Sequence, residues 1–534
     1  MDVEPEEFVK DKLVVTRAQF FSLHVSLLLC VLLATLDQAM VASALKSITI
    51  ALGEHGYLPY IGSAYALSMV PSLLIYDRCC NYWRLSPKWS LILALGIFEV
   101  GSLVCGLAQN MQVIIVGRTL AGFGAGGLIL LFTTLSSQIV SYQDGVVLFM
   151  KTEATFEGFA GIILFISAIV APALGGLFAD KVSWKWCFYI EIVLGVVPMI
   201  IILRYLNIPY TKDDTTIDVL GVSLLFASLT FLIIPLQLYQ ISWDWKSPQS
   251  ITMYILSILL FLAFVYVEWN AAEPVLPHTM FETTTMPALM MVSFCVGAAF
   301  INGLWNVALF FQLNFDDNQT LAGAYIVPAF IGLLIGSSVS RKLVDRFETF
   351  IPSFYAGPII SAAGTILLAF LHRDSKIVER VMYLFVFGFG DGIIHIIRNR
   401  ALKAVSPTDL SLRYTLIAAA CFSIGSAFSI TITGTILKTV FAHRVRDSDL
   451  IQEAIAYLRS LGNQVDTSEI FHLLEQFYFQ SLKDHNSVVD FGKAADEILY
   501  AYNSAFRISM FCLLPFSILM MLMVPFIKVT PIEE

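Results

Sequence analysis

Apolar stretches of about 20 residues recur along the whole chain, broken by short polar connections. Inside hydrocarbon a backbone must satisfy its own hydrogen bonds, so runs of that length fold as membrane-spanning helices. Spans are expected near 20–45, 57–76, 88–108, 111–140, 155–178, 186–206, 217–239, 251–269, 286–313, 321–343, 351–371, 380–397, 412–440 and 503–527, fourteen in all. Only 14% of the residues are charged, against about a quarter in soluble domains. The fold class expected is therefore an all-α polytopic membrane protein.

Charge sets the expected orientation. An even number of spans puts both termini on one side. With the termini in the cytosol, the short inner loops hold seventeen Lys and Arg and the short outer loops hold seven, the bias expected of inner loops. Residues 1–19 are then a cytosolic tail without a cleavable signal pattern, and residues 528–534 form the other tail. The segment 441–502 is polar with amphipathic pieces such as "EAIAYLRSLG", and is expected as a folded cap on the extracytosolic face. Asn318-Gln319-Thr320 is a glycosylation sequon in an outer loop, which fits weakly because such sequons are common by chance. The net charge of −9 collects in loops, and no basic face suited to nucleic acid is present. The eight cysteines lie mostly in apolar runs, so neither disulfides nor a metal cluster is expected.

The chain also looks duplicated. The loop after the second span, "LLIYDRCCNYWRLSPKW", and the loop after the tenth, "SVSRKLVDRFETF", are both short and basic. Each holds an Asp-Arg pair, Asp77-Arg78 and Asp345-Arg346. Two six-helix halves, 20–206 and 286–527, with two helices inserted between them at 217–269, would put these loops at equivalent places. Repeats of this kind build secondary transporters whose substrate site lies between the halves. Ordinary positive-inside loop charge is the plainer explanation of the pairs. Within "VGRTLAGFGAGGLILL", Gly117, Ala121 and Ala125 form one stripe of small residues, and Gly122 and Gly126 form a second. Stripes of this kind let helices approach closely, for static packing or for sliding. Ala168, Pro172 and Gly176 in "SAIVAPALGG" do the same with a proline bend added.

Four segments in order carry a resemblance. "LLATLDQAMVASAL" resembles the first-helix signature of the fourteen-span drug:proton antiporters of the major facilitator superfamily. "GRTLAGFGAGG" is similar to their Arg-containing fourth-helix motif. "APALGG" is similar to their antiporter motif, here Pro172, Gly175 and Gly176, and "SWKWCFYIEIVLG" to the segment opening their sixth helix. "FEVGSLVCGLA" resembles fungal members, which include multidrug and vacuolar basic amino acid transporters. The match is tightest over residues 20–200. It implies the superfamily fold, no cofactor, and a monomer in the plasma or vacuolar membrane. The loop after the second span keeps Asp77 and Arg78 but lacks both motif glycines, and the second copy has Glu348 where Gly is usual. The resemblance makes that loop a conformational latch, so gating is expected to differ. Glu191 stands where the family has Asn, and could add a titrating carboxylate on the outer side.

Ionisable residues inside spans are costly and point to function by default. Asp37 lies about 24 Å along its helix from Phe21, too deep to reach the cytosol easily. A carboxylate there can load and release a proton, or it can simply hydrogen-bond a neighbouring helix. Glu99 and Arg118 are its expected partners. Asp391, His395 and Arg398 fall at i, i+4 and i+7 and so share a helix face. They form a relay or a site for a cationic substrate, or else His395 and Arg398 are merely solvated near a helix end. Tyr60, Tyr65, Trp305 and Phe310 are candidate cavity aromatics, each equally explained by packing.

No phosphate-binding loop, metal-ligand spacing or nucleophile elbow is present, so no enzyme activity is expected. The expected function is proton-coupled secondary transport, an antiporter exporting or sequestering small cationic or lipophilic compounds. Asp37, Glu99 and Arg118 would carry the proton, and Asp391, His395, Glu191 and Trp305 would meet substrate. A vacuolar basic amino acid transporter is the alternative. A non-transporting membrane sensor is an alternative of another class.

Overall fold

The structure is a computed structural model. It describes residues 17–52, 58–82, 86–141, 153–206, 218–238, 243–271, 274–314, 319–407, 410–460, 473, 477 and 490–528. The expected tails fall almost wholly outside these residues, as do Asn318 and, within 441–502, residues 461–472, 474–476 and 478–489. The side chains of Asp77 and Arg78 are also outside the description.

The first half is built from α1 (Arg17–Leu52), α2 (Leu58–Tyr82), α3 (Pro87–Gly106), α4 (Met111–Ser141), α5 (Glu153–Lys181) and α6 (Trp186–Tyr205). Next come α7 (Val219–Leu238) and α8 (Pro248–Asn270). The second half holds α9 (Thr285–Asn314), α10 (Gln319–Ala324), α11 (Val327–Phe347), α12 (Ile351–Ala369), α13 (Ile377–Val405) and α14 (Ser411–Asp447). It continues through α15 (Asp449–Ser460), α16 (Phe491–Phe511) and α17 (Leu514–Met523). Among the described residues twelve helical segments are long and apolar enough to cross a membrane. Helices α2 and α5 stand at the second and fifth expected spans, outside those twelve.

Two boundaries follow from the helix ends. Helices α5 and α6 are separate, joined through residues 182–185. The long stretch from 411 is one helix of 37 residues, about 55 Å at 1.5 Å per residue and well beyond the hydrocarbon core. Its last turns run into the segment expected as the cap, and α16 begins at Phe491.

The same packing scheme appears twice. In the first half α4 packs on α2 and α3, α1 on α5 and α6, and α3 on α6. In the second, α13 packs on α11 and α12, α9 on α14 and α17, and α12 on α17. The stripes of small residues explain the central helices. Gly122 and Gly126 of α4 lie against α2, while Gly124 faces α3. In the second half Gly388 and Gly392 lie against α11 and Gly390 against α12. A Cβ at Gly122 or Gly388 would collide with the backbone of the facing helix.

The halves meet along α2–α14, α5–α10 and α1–α9. At the end of the bundle holding Leu45, Pro172 and Gln312, one continuous apolar core unites them. Gln312 of α9 accepts from the Lys46 amide at 3.0 Å and donates to the Ala42 carbonyl at 2.7 Å. Asp180 of α5 accepts from both the amide and hydroxyl of Thr320, each at 2.8 Å. Gly323 of α10 approaches the Pro172 carbonyl too closely for any side chain. At the opposite end, which holds Leu91 and Arg400, each half has its own core. There Ala420 of α14, reaching α2, joins the first half's core. The inserted α7 lies over this α2–α14 seam, with α8 packed on its far side and largely exposed.

Candidate functional site

Three helices converge on Asp37. One turn to either side of it on α1 stand Leu33, Ala34, Met40 and Val41, and both it and Arg118 of α4 are fully buried. Arg118 Nη1 lies 2.6 Å from each carboxylate oxygen of Asp37. The Arg118 Nε donates to the Ile61 carbonyl of α2 at 3.2 Å, and the guanidinium lies 4.3 Å from the centre of the Tyr65 ring. The Tyr65 hydroxyl donates to the Ala34 carbonyl at 2.8 Å. This compact node works because Gly117 and Gly122 flank Arg118 and let α4 sit close to α3 and α2. Removing one partner from a buried pair costs about 3–5 kcal/mol, so the two side chains hold each other in place.

Glu191, expected to meet substrate, lies beside this node. It is fully buried on α6, where its Oε2 accepts from Ser102 of α3 at 2.8 Å. It interacts electrostatically with Asp37, Arg118 and Glu99. Glu99, expected to partner Asp37, makes no hydrogen bond to it. Glu99 stands one turn before Ser102 on the same face of α3, against Gly195 of α6, and neither of its oxygens has a partner. Arg118 Nη2 and Glu191 Oε1 are likewise buried and unpartnered.

The second half separates what helical spacing put together. Asp391 is fully buried and turns to α12, accepting from Ser361 at 3.0 Å with its other oxygen unpartnered. His395 and Arg398 turn to α14 instead. The imidazole meets the Phe422 ring edge-on at 6.2 Å, and the guanidinium lies 5.7 Å from the same ring. No Asp391–His395 hydrogen bond forms among the described residues. A shared face spans about 100° of helix, wide enough to serve two different neighbours. Arg398 is buried, so the reading of it as a solvated helix end does not hold.

Trp305 of α9 lies across the seam, its indole carbons 3.1–3.2 Å from where a Cβ on Gly62 of α2 would stand. Phe310 is core, its ring tilted against Phe506 with centroids 4.5 Å apart. Gly175 meets the Met40 backbone of α1, while Gly176 is buried within α5. In the second-half loop, Asp345 accepts from Arg400 at 3.5 Å and the Arg346 guanidinium lies 5.9 Å from the Phe347 ring. The residue in the glycine position, Glu348, adopts a φ of 52°.

Residues missed from the sequence are mostly amides and hydroxyls. Asn302 of α9 donates to Ser429 at 2.6 Å and accepts from Thr433 at 3.0 Å. Gln237 of α7 bridges Ser63 of α2 and Thr431 of α14. Gln237 is a lone amide in an apolar span, and Asn302 stands one turn from Asn306, which donates to it at 2.7 Å; both signals were obscured by attention to formal charge.

The Major Facilitator Superfamily matches this chain over residues 27–430. The chain belongs to that superfamily. Multidrug resistance protein 3 of Bacillus subtilis (strain 168) is 27% identical over 450 residues, covering 83% of this chain and 85% of that protein. Efflux pump roqT of Penicillium rubens is 27% identical over 442 residues, covering 80% and 79%. Among solved structures, a bacterial homolog of the human lysosomal transporter Spinster, inward-facing and unoccupied, aligns with a TM-score of 0.60 at 12% identity. It covers 96% of this chain and 98% of its own. A D-xylose-proton symporter aligns at 0.56 and 12% identity, covering 78% and 90%. These structures support the superfamily fold. The duplicated helix packing described above fits the same membership.

Proposed function

We propose that this superfamily member is a fourteen-span, proton-coupled antiporter that exports or sequesters small lipophilic compounds, cationic ones among them. The observation that carries the reading is the fully buried Asp37–Arg118 pair. A carboxylate held this way has two states: ionised and bound to Arg118, or protonated and released from it. Protonation therefore changes what α4 holds on α1 and α2. Glu191 and Glu99 extend the acid side of the node along the α3–α6 contact, with Glu99 acting through Glu191.

Alternating access follows from the distribution of core. With both termini in the cytosol, the united end faces outward, and the end with separate cores faces the cytosol. Opening the first end would separate α1 from α9 and α5 from α10. The names of the relatives, a multidrug resistance protein and efflux pumps, favour export of lipophilic compounds over carriage of basic amino acids. A monomer in the plasma or vacuolar membrane completes the reading.

The test is uptake into sealed vesicles under an imposed pH gradient, with a labelled lipophilic cation and labelled arginine, in wild type and Asp37→Asn. Gradient-driven uptake of the cation that disappears in folded Asp37→Asn is expected. Coupled uptake persisting in the variant overturns the assignment of the proton site. Movement of arginine alone favours the amino acid reading.

A further inference from the structure

Among the described residues, the interior of the second half holds a cation with no counter-ion. Arg398 is 5% exposed, and its Nη1 is buried with no hydrogen-bond partner. Its Nε and Nη2 donate to one neutral acceptor, Asn399 Oδ1, at 3.1 and 2.8 Å. Phe422 supplies a ring face, and His395 stands beside it against the same ring. Neither α9 nor α12 contains an acidic residue, and in α14 the first acid is Asp447, at its far end. Asp345 of α11 is engaged by Arg400, and Asp391 turns to Ser361 of α12. The first half solves the same problem differently, giving Arg118 the carboxylate of Asp37.

Burying a guanidinium without an anion costs several kcal/mol even after relaxation. Guanidinium also suits planar carboxylates, through two parallel N–H donors. We infer that Arg398, with His395 and Phe422 beside it, is a binding subsite for an anionic oxygen group of the transported compound, most simply a carboxylate on an aromatic or lipophilic body. Nη1 supplies the free donor, and Phe422 gives the apolar body a surface to pack on. The accepted compounds would then include lipophilic carboxylates and zwitterions alongside cations. The assignment rests on the transport reading for its purpose, but not for its test.

The full chain in phosphatidylcholine nanodiscs is titrated with naphthylacetate, the uncharged naphthylacetamide and naphthylethylammonium. Binding is followed by tryptophan fluorescence and by thermal unfolding. A charge-assisted pair predicts that naphthylacetate binds roughly 10- to 100-fold tighter than the amide. Arg398→Gln should remove that preference and leave amide binding unchanged. Arg398→Lys should fold and keep part of it, and Asn399→Ala, which frees the remaining donors, should keep or raise it. Equal binding of all three probes by wild type overturns the inference, as does a preference that survives Arg398→Gln. A phosphate headgroup offers the same chemistry. If phosphatidylglycerol nanodiscs abolish naphthylacetate binding, the site belongs to lipid and the substrate assignment fails. Asp37→Asn should keep the naphthylacetate preference. Loss of proton coupling in that variant therefore tests the antiport reading, and loss of probe preference in wild type tests this one.

Discussion

The Gln237 amide of α7 donates both its hydrogens, to Thr431 of α14 at 2.8 Å and to Ser63 of α2. The Thr435 hydroxyl of α14 adds a hydrogen bond to the Leu236 carbonyl at 2.8 Å. One side chain of an inserted helix thus ties the two halves together. Gln237→Leu leaves two buried hydroxyls short of a donor and should weaken this arrangement by about 1–3 kcal/mol. Spin labels at the exposed Ile50 and Leu321, at the united end of the bundle, should report a longer-distance population that grows about ten-fold. An unchanged distance distribution would show that the inserted helices do not help to hold the halves.

Gly62 and Trp305 make the seam tight in a different way. The indole fills the space a side chain would need. Gly62→Val should prevent this arrangement from closing, with a folded protein and transport near zero. Paired with Trp305→Ala, the same substitution should recover part of the activity, because the clash is removed. Vesicle uptake measured on both variants decides it. Equal activity of Gly62→Val and wild type would mean that α2 and α9 never approach this closely in the cycle.

Glu348 ends α11 in the left-handed region, its amide bonded to the Val344 carbonyl at 2.8 Å. A side chain there costs roughly 1–2 kcal/mol, which glycine avoids. Glu348→Gly should therefore raise the thermal midpoint of the detergent-solubilised protein. A lower midpoint would show that the Glu348 side chain makes a compensating contact.

Asp37 and Arg118 should be non-additive. Each single neutral variant strands a buried charge and should destabilise by about 3–5 kcal/mol, while Asp37→Asn with Arg118→Gln should lose clearly less than the sum. Coupled transport should be absent from all three. Thermal unfolding supplies the cycle and vesicle uptake the control. Additive losses would mean that the two groups do not meet in the membrane.

Hydropathy made much of the fold legible. Each expected span falls on helical residues, the last one, 503–527, across α16 and α17, and twelve of the described helical segments are long and apolar enough to cross a membrane, because length and apolarity alone mark a segment that must satisfy its backbone in lipid. The partnership of Asp37 with Arg118, 81 residues away, was readable as a pairing of opposite charges in two apolar spans. Glu99 was assigned to the same pair by the same reasoning, yet it faces α6. Asp391, His395 and Arg398 share a face by arithmetic, yet neighbouring helices divide them between Ser361 and Phe422.

The amino-acid sequence alone determined that this chain lives in a membrane, where its helices lie, and that charges such as Asp37 and Arg118 are buried within them. Those properties depend on the transfer of local segments out of water. The tertiary structure alone decided which buried charge meets which, and that Arg398 meets none among the described residues. Most spans are apolar on nearly every side, so their periodicity does not separate a lipid-facing stripe from a protein-facing one. Only the close approach of helices over glycine and alanine, pair by pair, selects the partner.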